Sequence, residues 1–416
     1  MELYYTFSVL IVLASLFAYL NVRFLKLPGT IGIMIIAMLV SVGIRLLGDQ
    51  FFPETTREFF QLIKEFDFTE ILMGAMLNFL LFAGALHVNI SDLKEHKWPI
   101  FTYATVSVVL SAFIISGMLF YVAPILGIEI PFIYCLLFGT LISPTDPIVV
   151  LGILKEAKVP KMIETKITGE SLFNDGVAVV MFAVVLKMAT DTTFVASFGS
   201  VSWLFLLEAG GGIILGGLLG ITASHVMKKI DDYKVTVLIT LAIVMGGFLI
   251  ASELHFSSPL AMVIAGLIIG NYGKKHSMNE TTRDYLGKFW ELIDEILNAI
   301  LFLFIGFELL VLPDLQDQLL LGVIVIFIGL LARTLSIFIP AQTILRKNTY
   351  SKGSLITMVW GGIRGGVSIA LVMSIPNSAG EIKDVLLEIT YIVVLFSIVV
   401  QGLTVGKVAK KVLKEE

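Results

Sequence analysis

The residues best suited to chemistry lie in one short stretch, Gly169-Glu170-Ser171-Leu172-Phe173-Asn174-Asp175, inside an otherwise apolar run. On a helix, Ser171 and Asp175 are four apart and share a face, and Glu170 and Asn174 form a second such pair beside it. Oxygen-bearing side chains grouped this way suit a small hard cation. A carboxylate among them supplies both a charge and a proton acceptor. The structural alternative is that Asp175 caps a helix break or pairs with an arginine. One run earlier stands Ser143-Pro144-Thr145-Asp146-Pro147. Proline removes a donor and clashes with the preceding turn, so a helix is expected to break there. The break frees carbonyls, such as that of Thr145, to coordinate an ion beside Asp146. Asp146 would also serve as a plain helix N-cap, and the two roles are compatible.

Two arginines, Arg333 and Arg364, fall inside apolar runs and need partners, because a desolvated guanidinium is rarely tolerated alone. Glu170, one face away from Asp175, is the natural partner of Arg364. Arg333 could take Glu170 instead, or balance the two aspartates. Glu208 opens a glycine-rich stretch, Gly210-Gly211-Gly212, and reads as a packing or interfacial residue; Glu308 is placed nearer a helix end. The five histidines are scattered, with no metal-site spacing.

The elements that must position these residues are membrane helices. Of 416 residues 57% are hydrophobic and only 15% are charged, against about a quarter in soluble domains. Apolar runs of roughly bilayer-crossing length recur near Tyr4–Asn21, Ile31–Gly48, Phe68–His87, Pro99–Val122, Pro131–Leu154, Met162–Met188 and Val201–Met227. They continue near Lys234–Ala251, Ser257–Gly270, Tyr285–Leu312, Leu319–Leu345, Gly353–Ile375 and Val385–Val408. The expectation is an all-α polytopic membrane protein with about 13 spanning helices. It leaves no room for a soluble enzyme domain. The formal charge of −4 argues against a nucleic-acid partner. Cys135 alone cannot form an intrachain disulfide, and the start Met1-Glu2-Leu3 lacks the basic residues of a signal peptide, so the first run is expected to be retained.

Loops after odd-numbered runs, with the C-terminal tail, hold 22 of the 29 Lys and Arg; the N-terminus and the even loops hold five, and Arg333 and Arg364 make up the rest. The positive-inside rule then puts the N-terminus outside and the C-terminus in the cytoplasm. An odd count also permits two six-helix repeats of opposite topology, over 1–190 and 232–416, joined by a linker helix at 200–230. That is a common plan of secondary transporters. The twelfth run is interrupted by Gly361-Gly362-Ile363-Arg364-Gly365-Gly366, as the fifth is by its prolines, and each is the fifth of its six. Ordinary kinks, which membrane helices tolerate, are the alternative.

These stretches, with Ala332-Arg333 and Trp360-Gly361-Gly362-Ile363-Arg364-Gly365-Gly366-Val367, resemble the NhaP/NHE-type sodium–proton exchangers, the electroneutral branch of the monovalent cation/proton antiporters. Order and spacing fit across nearly the whole chain. The resemblance implies crossed, partly unwound fifth and twelfth helices, a homodimer, and Asp175 as the essential ion- and proton-binding carboxylate. Asp146, Thr145, Ser171 and Asn174 are its implied companions, Glu170 and Arg364 an ion pair, and Arg333 a supporting charge. Eukaryotic relatives carry a long cytosolic regulatory tail; here the sequence ends soon after Lys414, so such regulation is not expected.

The function so implied is exchange of Na+, or Li+ or K+, for H+ in a prokaryotic inner membrane, serving pH homeostasis, with no cofactor. Asp175 would hold a proton or a cation but not both, and the protein would rock between inward- and outward-open states only when loaded. Asn174 stands where electrogenic relatives carry a second acid, so one-for-one electroneutral exchange is expected. The rivals are a cation-coupled carrier of a small organic solute and a cation channel.

Overall fold

The computed structural model describes residues 2–48, 76–146, 150, 153–154, 159, 161–191, 197–311, 315–345 and 351–414. Among them the regular structure is all helical. Eight helical stretches are long and apolar enough to cross a membrane, and two shorter apolar helices, Leu77–His87 and Phe132–Ile142, accompany them. The first part of the third run, Pro147, Lys155, Lys158, Arg346 and Lys347 lie outside the described residues.

In chain order the main helices are α1 (Glu2–Leu20), α2 (Gly29–Gly43), α3 (Leu77–His87), α4 (Val108–Val122), α5 (Phe132–Ile142), α6 (Lys161–Thr190) and α7 (Phe198–Met227). There follow α8 (Tyr233–Glu253), α9 (Ser258–Ile268), α10 (Glu280–Val311), α11 (Leu315–Thr343), α12 (Lys352–Trp360), α13 (Gly366–Met373), α14 (Glu381–Phe396) and α15 (Leu403–Lys414). Caps mark several starts: the Asp232 side chain accepts from the Lys234 N–H, and Ser351 accepts from the Ser354 N–H at 3.1 Å. Lys166 is 2% exposed within α6.

The helices pack through several apolar clusters. In one, α3, α8 and α9 share a core with α7 and α10 through Phe82, Ala223, Val244, Met262 and Trp290. Gly216 lets the α7 backbone approach so closely that a Cβ there would meet the Ala261 carbonyl, and Gly211 and Gly212 likewise face Phe256 and Ser257. Gly211 and Gly212, just after Glu208, thus serve close helix packing. In another, α4, α5, α11, α13 and α14 pack through Ile115, Phe138, Val325, Leu371 and Ile389. A third cluster joins α1, α2 and α10 to α12 through Phe17, Met34, Phe304 and Met358.

Both interruptions occur where the sequence places them. Helix α5 stops at Ile142, and 143–146 are non-helical. The twelfth run divides into α12 and α13 around Gly361–Gly365.

Candidate ion site at the crossing of two broken helices

The unwound segments meet each other. The Asp146 N–H donates to the Ile363 carbonyl at 2.8 Å, joining the two breaks through their backbones. Ser368 at the start of α13 donates to the Leu141 carbonyl at 2.7 Å. The glycines make this approach possible. A Cβ on Gly365 would overlap the Asp146 carboxylate, and one on Gly362 would press against Arg333 Nε.

Arg364 reaches across the crossing and donates to the Ser143 and Pro144 carbonyls at 2.5 and 2.6 Å. Those carbonyls are left without intrahelical donors where α5 ends, at the negative end of its dipole. A guanidinium there satisfies both at once. The pairing of Glu170 with Arg364 implied by the resemblance is therefore corrected. Glu170 instead meets Arg333 of α11 at 2.5 Å, both groups at most 5% exposed. Arg333 also donates to the Met358 carbonyl of α12 at 3.2 Å. The carbonyls exposed by the break hold Arg364, and Arg333 takes the acid. Arg364 remains within electrostatic reach of both Arg333 and Glu170.

The sequence-predicted ion residues converge, but they divide into two sets. Thr145, Ser171 and Asn174 bond to one another: the Thr145 and Ser171 hydroxyls are 3.0 Å apart, and the Asn174 amide donates to the Thr145 hydroxyl at 2.9 Å. They tie the fifth-span break to α6, buried at 2%, 1% and 0% exposure. Asp146 and Asp175, in contrast, line a cavity of about 1100 Å³. They are 8% and 6% exposed and lie within electrostatic reach of each other.

The cavity lies among helices α1, α2, α3, α6, α10 and α13. Residues of α1, α2, α3 and α10 form one wall, and α6 with Val367 of α13 the other. Its lining includes Gly29, Asn89, Asp92 and Glu164, all near loops that follow odd-numbered runs. Glu291, Asp294, Glu295 and Asn298 of α10 also line it. Sequence reasoning missed these four, although their spacing of three and four residues puts them on one helix face. Glu308 and Glu388 are buried, at 3% and 6% exposure, and neither lines the cavity.

Among the described residues the fold is helical, with two broken helices crossing beside carboxylates that line a cavity, which is the plan of a secondary transporter. Comparison with known proteins supplies the family. A family profile described as "Sodium/hydrogen exchanger, transmembrane" matches residues 11–411, and the chain belongs to this family. It is 47% identical over 411 residues to the Na+/H+ antiporter NhaP of Pseudomonas aeruginosa, covering 97% of this chain and 95% of that protein. It is 32% identical over 395 residues to the Na+/H+ antiporter NhaH of Halobacillus dabanensis, covering 94% and 93%. The fold matches the sodium proton antiporter MjNhaP1 of Methanocaldococcus jannaschii at pH 8 with a TM-score of 0.79 at 21% identity, over 99% of this chain and 100% of that one. Proteins of this family are transporters rather than enzymes.

Proposed function

We propose that the protein exchanges Na+ for H+ across the membrane by competition of the two ions for Asp175, with Asp146 beside it. The observation that carries this reading is the pair of nearly buried aspartates at the base of an open cavity, on the crossing of the two breaks. A carboxylate there holds either a proton or a cation. Either one offsets the cost of a desolvated negative charge, so the loaded site can pass between inward- and outward-open states and the empty one cannot. Thr145, Ser171 and Asn174 fix the position of the break that carries Asp146, and their oxygens stand ready to complete the ion's shell when the protein rocks. Glu170–Arg333 and Arg364 hold the crossing rigid.

The cavity's lining includes residues near the odd-numbered loops, which are the Lys- and Arg-rich ones. With the C-terminus in the cytoplasm, this is an inward-open state. Thirteen spanning helices, the two inverted repeats and a homodimer complete the proposed architecture. Exchange in proteoliposomes tests the function: an inward Na+ gradient should drive proton efflux, and K+ and Li+ in place of Na+ set its selectivity. Proton movement that requires an organic solute would favour the coupled carrier, and single-channel currents the channel.

Exchange should be electroneutral. Asn174 cannot release a proton, Glu170 is held by Arg333, and Asp146, anchored at the break, stays ionised through the cycle, which leaves Asp175 alone to switch. A membrane potential acts on net moved charge at about 2.3 kcal/mol per charge per 100 mV, so it should neither drive nor oppose the cycle. With the potential clamped by valinomycin and K+, rate and end point should not follow the voltage. Dependence on voltage would assign a second titrating group, with Asp146 the nearest.

A further inference from the structure

We infer that the groove between α11, α12 and α15 binds an anionic phospholipid, with an acyl chain in the groove and the headgroup on the lysine face of α15. The groove encloses about 330 Å³. Thr334 and Phe338 of α11, Ile356, Val359 and Trp360 of α12, and Val408 of α15 line it. No charged residue takes part. Ile356 is 39% exposed, and α11 exposes Leu335 and Ile339 on the same stretch. An apolar hollow open at a membrane-facing surface suits a hydrocarbon chain.

Helix α15 supplies the charge. Lys407, Lys410, Lys411 and Lys414 recur at intervals of three and four, so they share one face, and all four are exposed. Val405 and Ala409 on the opposite face are buried, and Val408 lies on the flank between, at the groove. Helices α12 and α15 run antiparallel. Trp360 Nε1 donates to the Thr404 hydroxyl at 2.9 Å, and one turn further along Ile356 and Val408 line the groove together. Another turn toward the C-terminal end come Lys352 and Lys411, both exposed. Neither helix contains an acidic residue. The positive-inside rule accounts for lysines at this end of the chain. It does not account for one lysine face beside an apolar hollow. That pairing complements a phospholipid, which sets a negative phosphate at the membrane surface above a hydrocarbon chain.

The groove adjoins the broken helix. Trp360 ends α12, and Gly361 opens the break that follows. The Gln401 amide donates to the Trp360 carbonyl at 3.2 Å, so two bonds tie Trp360 to the last run. A chain seated against Ile356 and Trp360 braces α12 where it enters the crossing. With the C-terminus in the cytoplasm, as proposed above, the lipid belongs to the inner leaflet. Binding itself does not depend on the exchange reading.

Trp360 makes the site observable. Trp98 and Trp203 are each 68% exposed, whereas Trp290 is fully buried. In the full chain carrying Trp98→Phe and Trp203→Phe, quenching by lipids brominated on their acyl chains therefore reports on Trp360. In phosphatidylcholine vesicles, brominated phosphatidylglycerol should quench at about tenfold lower mole fraction than brominated phosphatidylcholine. Replacing Lys407, Lys410, Lys411 and Lys414 by Gln should remove that preference, and raised salt should weaken it. Equal quenching by the two lipids, or a preference that survives the four replacements, would overturn the proposal. If the fourfold variant does not fold, an unchanged preference in Lys407→Gln with Lys411→Gln does so instead. Water-soluble glycerol phosphate should leave the quenching as it was; relief of quenching would make a free phosphate the ligand and discard the lipid. No quenching by either lipid would assign the groove to another occupant, such as a second copy of this chain, and would also overturn the proposal.

Discussion

Asp175→Asn is expected to abolish cation-dependent proton movement while leaving the protein folded. The substitution keeps the size of the side chain and its place on α6, 6% exposed and lining the cavity. It removes the charge that attracts the cation and the oxygen that accepts the proton. An amide neither binds nor releases a proton in the working range, so both halves of the cycle stop together. Flux should fall below detection in proteoliposomes, while elution as a single species and the melting temperature stay near those of the native protein. Exchange at a native rate would remove Asp175 from the mechanism and pass the role to Asp146.

The second large effect falls on stability. Glu170 and Arg333 form an ion pair with almost no solvent contact. Removing one member strands the other charge in a low-dielectric interior, at a cost of roughly 3–5 kcal/mol. Glu170→Ala and Arg333→Ala should each lower the detergent melting temperature markedly. The double variant should be less damaging than the sum of the two, because no charge is then left alone. Contacting charges are the case in which additivity fails. Arg364→Ala serves as the comparison. It exposes the Ser143 and Pro144 carbonyls and should combine with Glu170→Ala more nearly additively. Strong coupling of Glu170 to Arg364, with none to Arg333, would restore the partner implied by the resemblance.

That exchange of partners marks how far the sequence could be read. Intervals of three and four residues fix which side chains share a helix face, so the polar group at Glu170–Asp175 was legible. The breaks were legible because proline and paired glycines act locally on the backbone. The choice between two arginines was not, because it depends on which of them lies over the carbonyls freed at the end of α5. Only the crossing of two distant segments decides that. The division of the oxygen ligands was hidden for the same reason: Thr145 turns toward Ser171 and Asn174, while Asp146, its neighbour in sequence, lines the cavity. On α10 the pattern Glu291, Asp294, Glu295, Asn298 was present in the sequence. A polar face at the start of a span looks the same whether it meets headgroups or a cavity, and only the packing of α10 against α2 and α3 separates the two.

Competition at one carboxylate has a quantitative signature in the half-saturating Na+ concentration for exchange, measured as a function of pH. If the proton and Na+ exclude each other at Asp175, that concentration should rise about tenfold for each unit of acidification while the site is mainly protonated, because one proton must leave for each Na+ bound. Saturating Na+ should restore the same maximal uptake across that range. A half-saturation that does not move with pH, with acid lowering only the maximal rate, would mean that proton and cation bind independently, and it would contradict exchange by competition at Asp175.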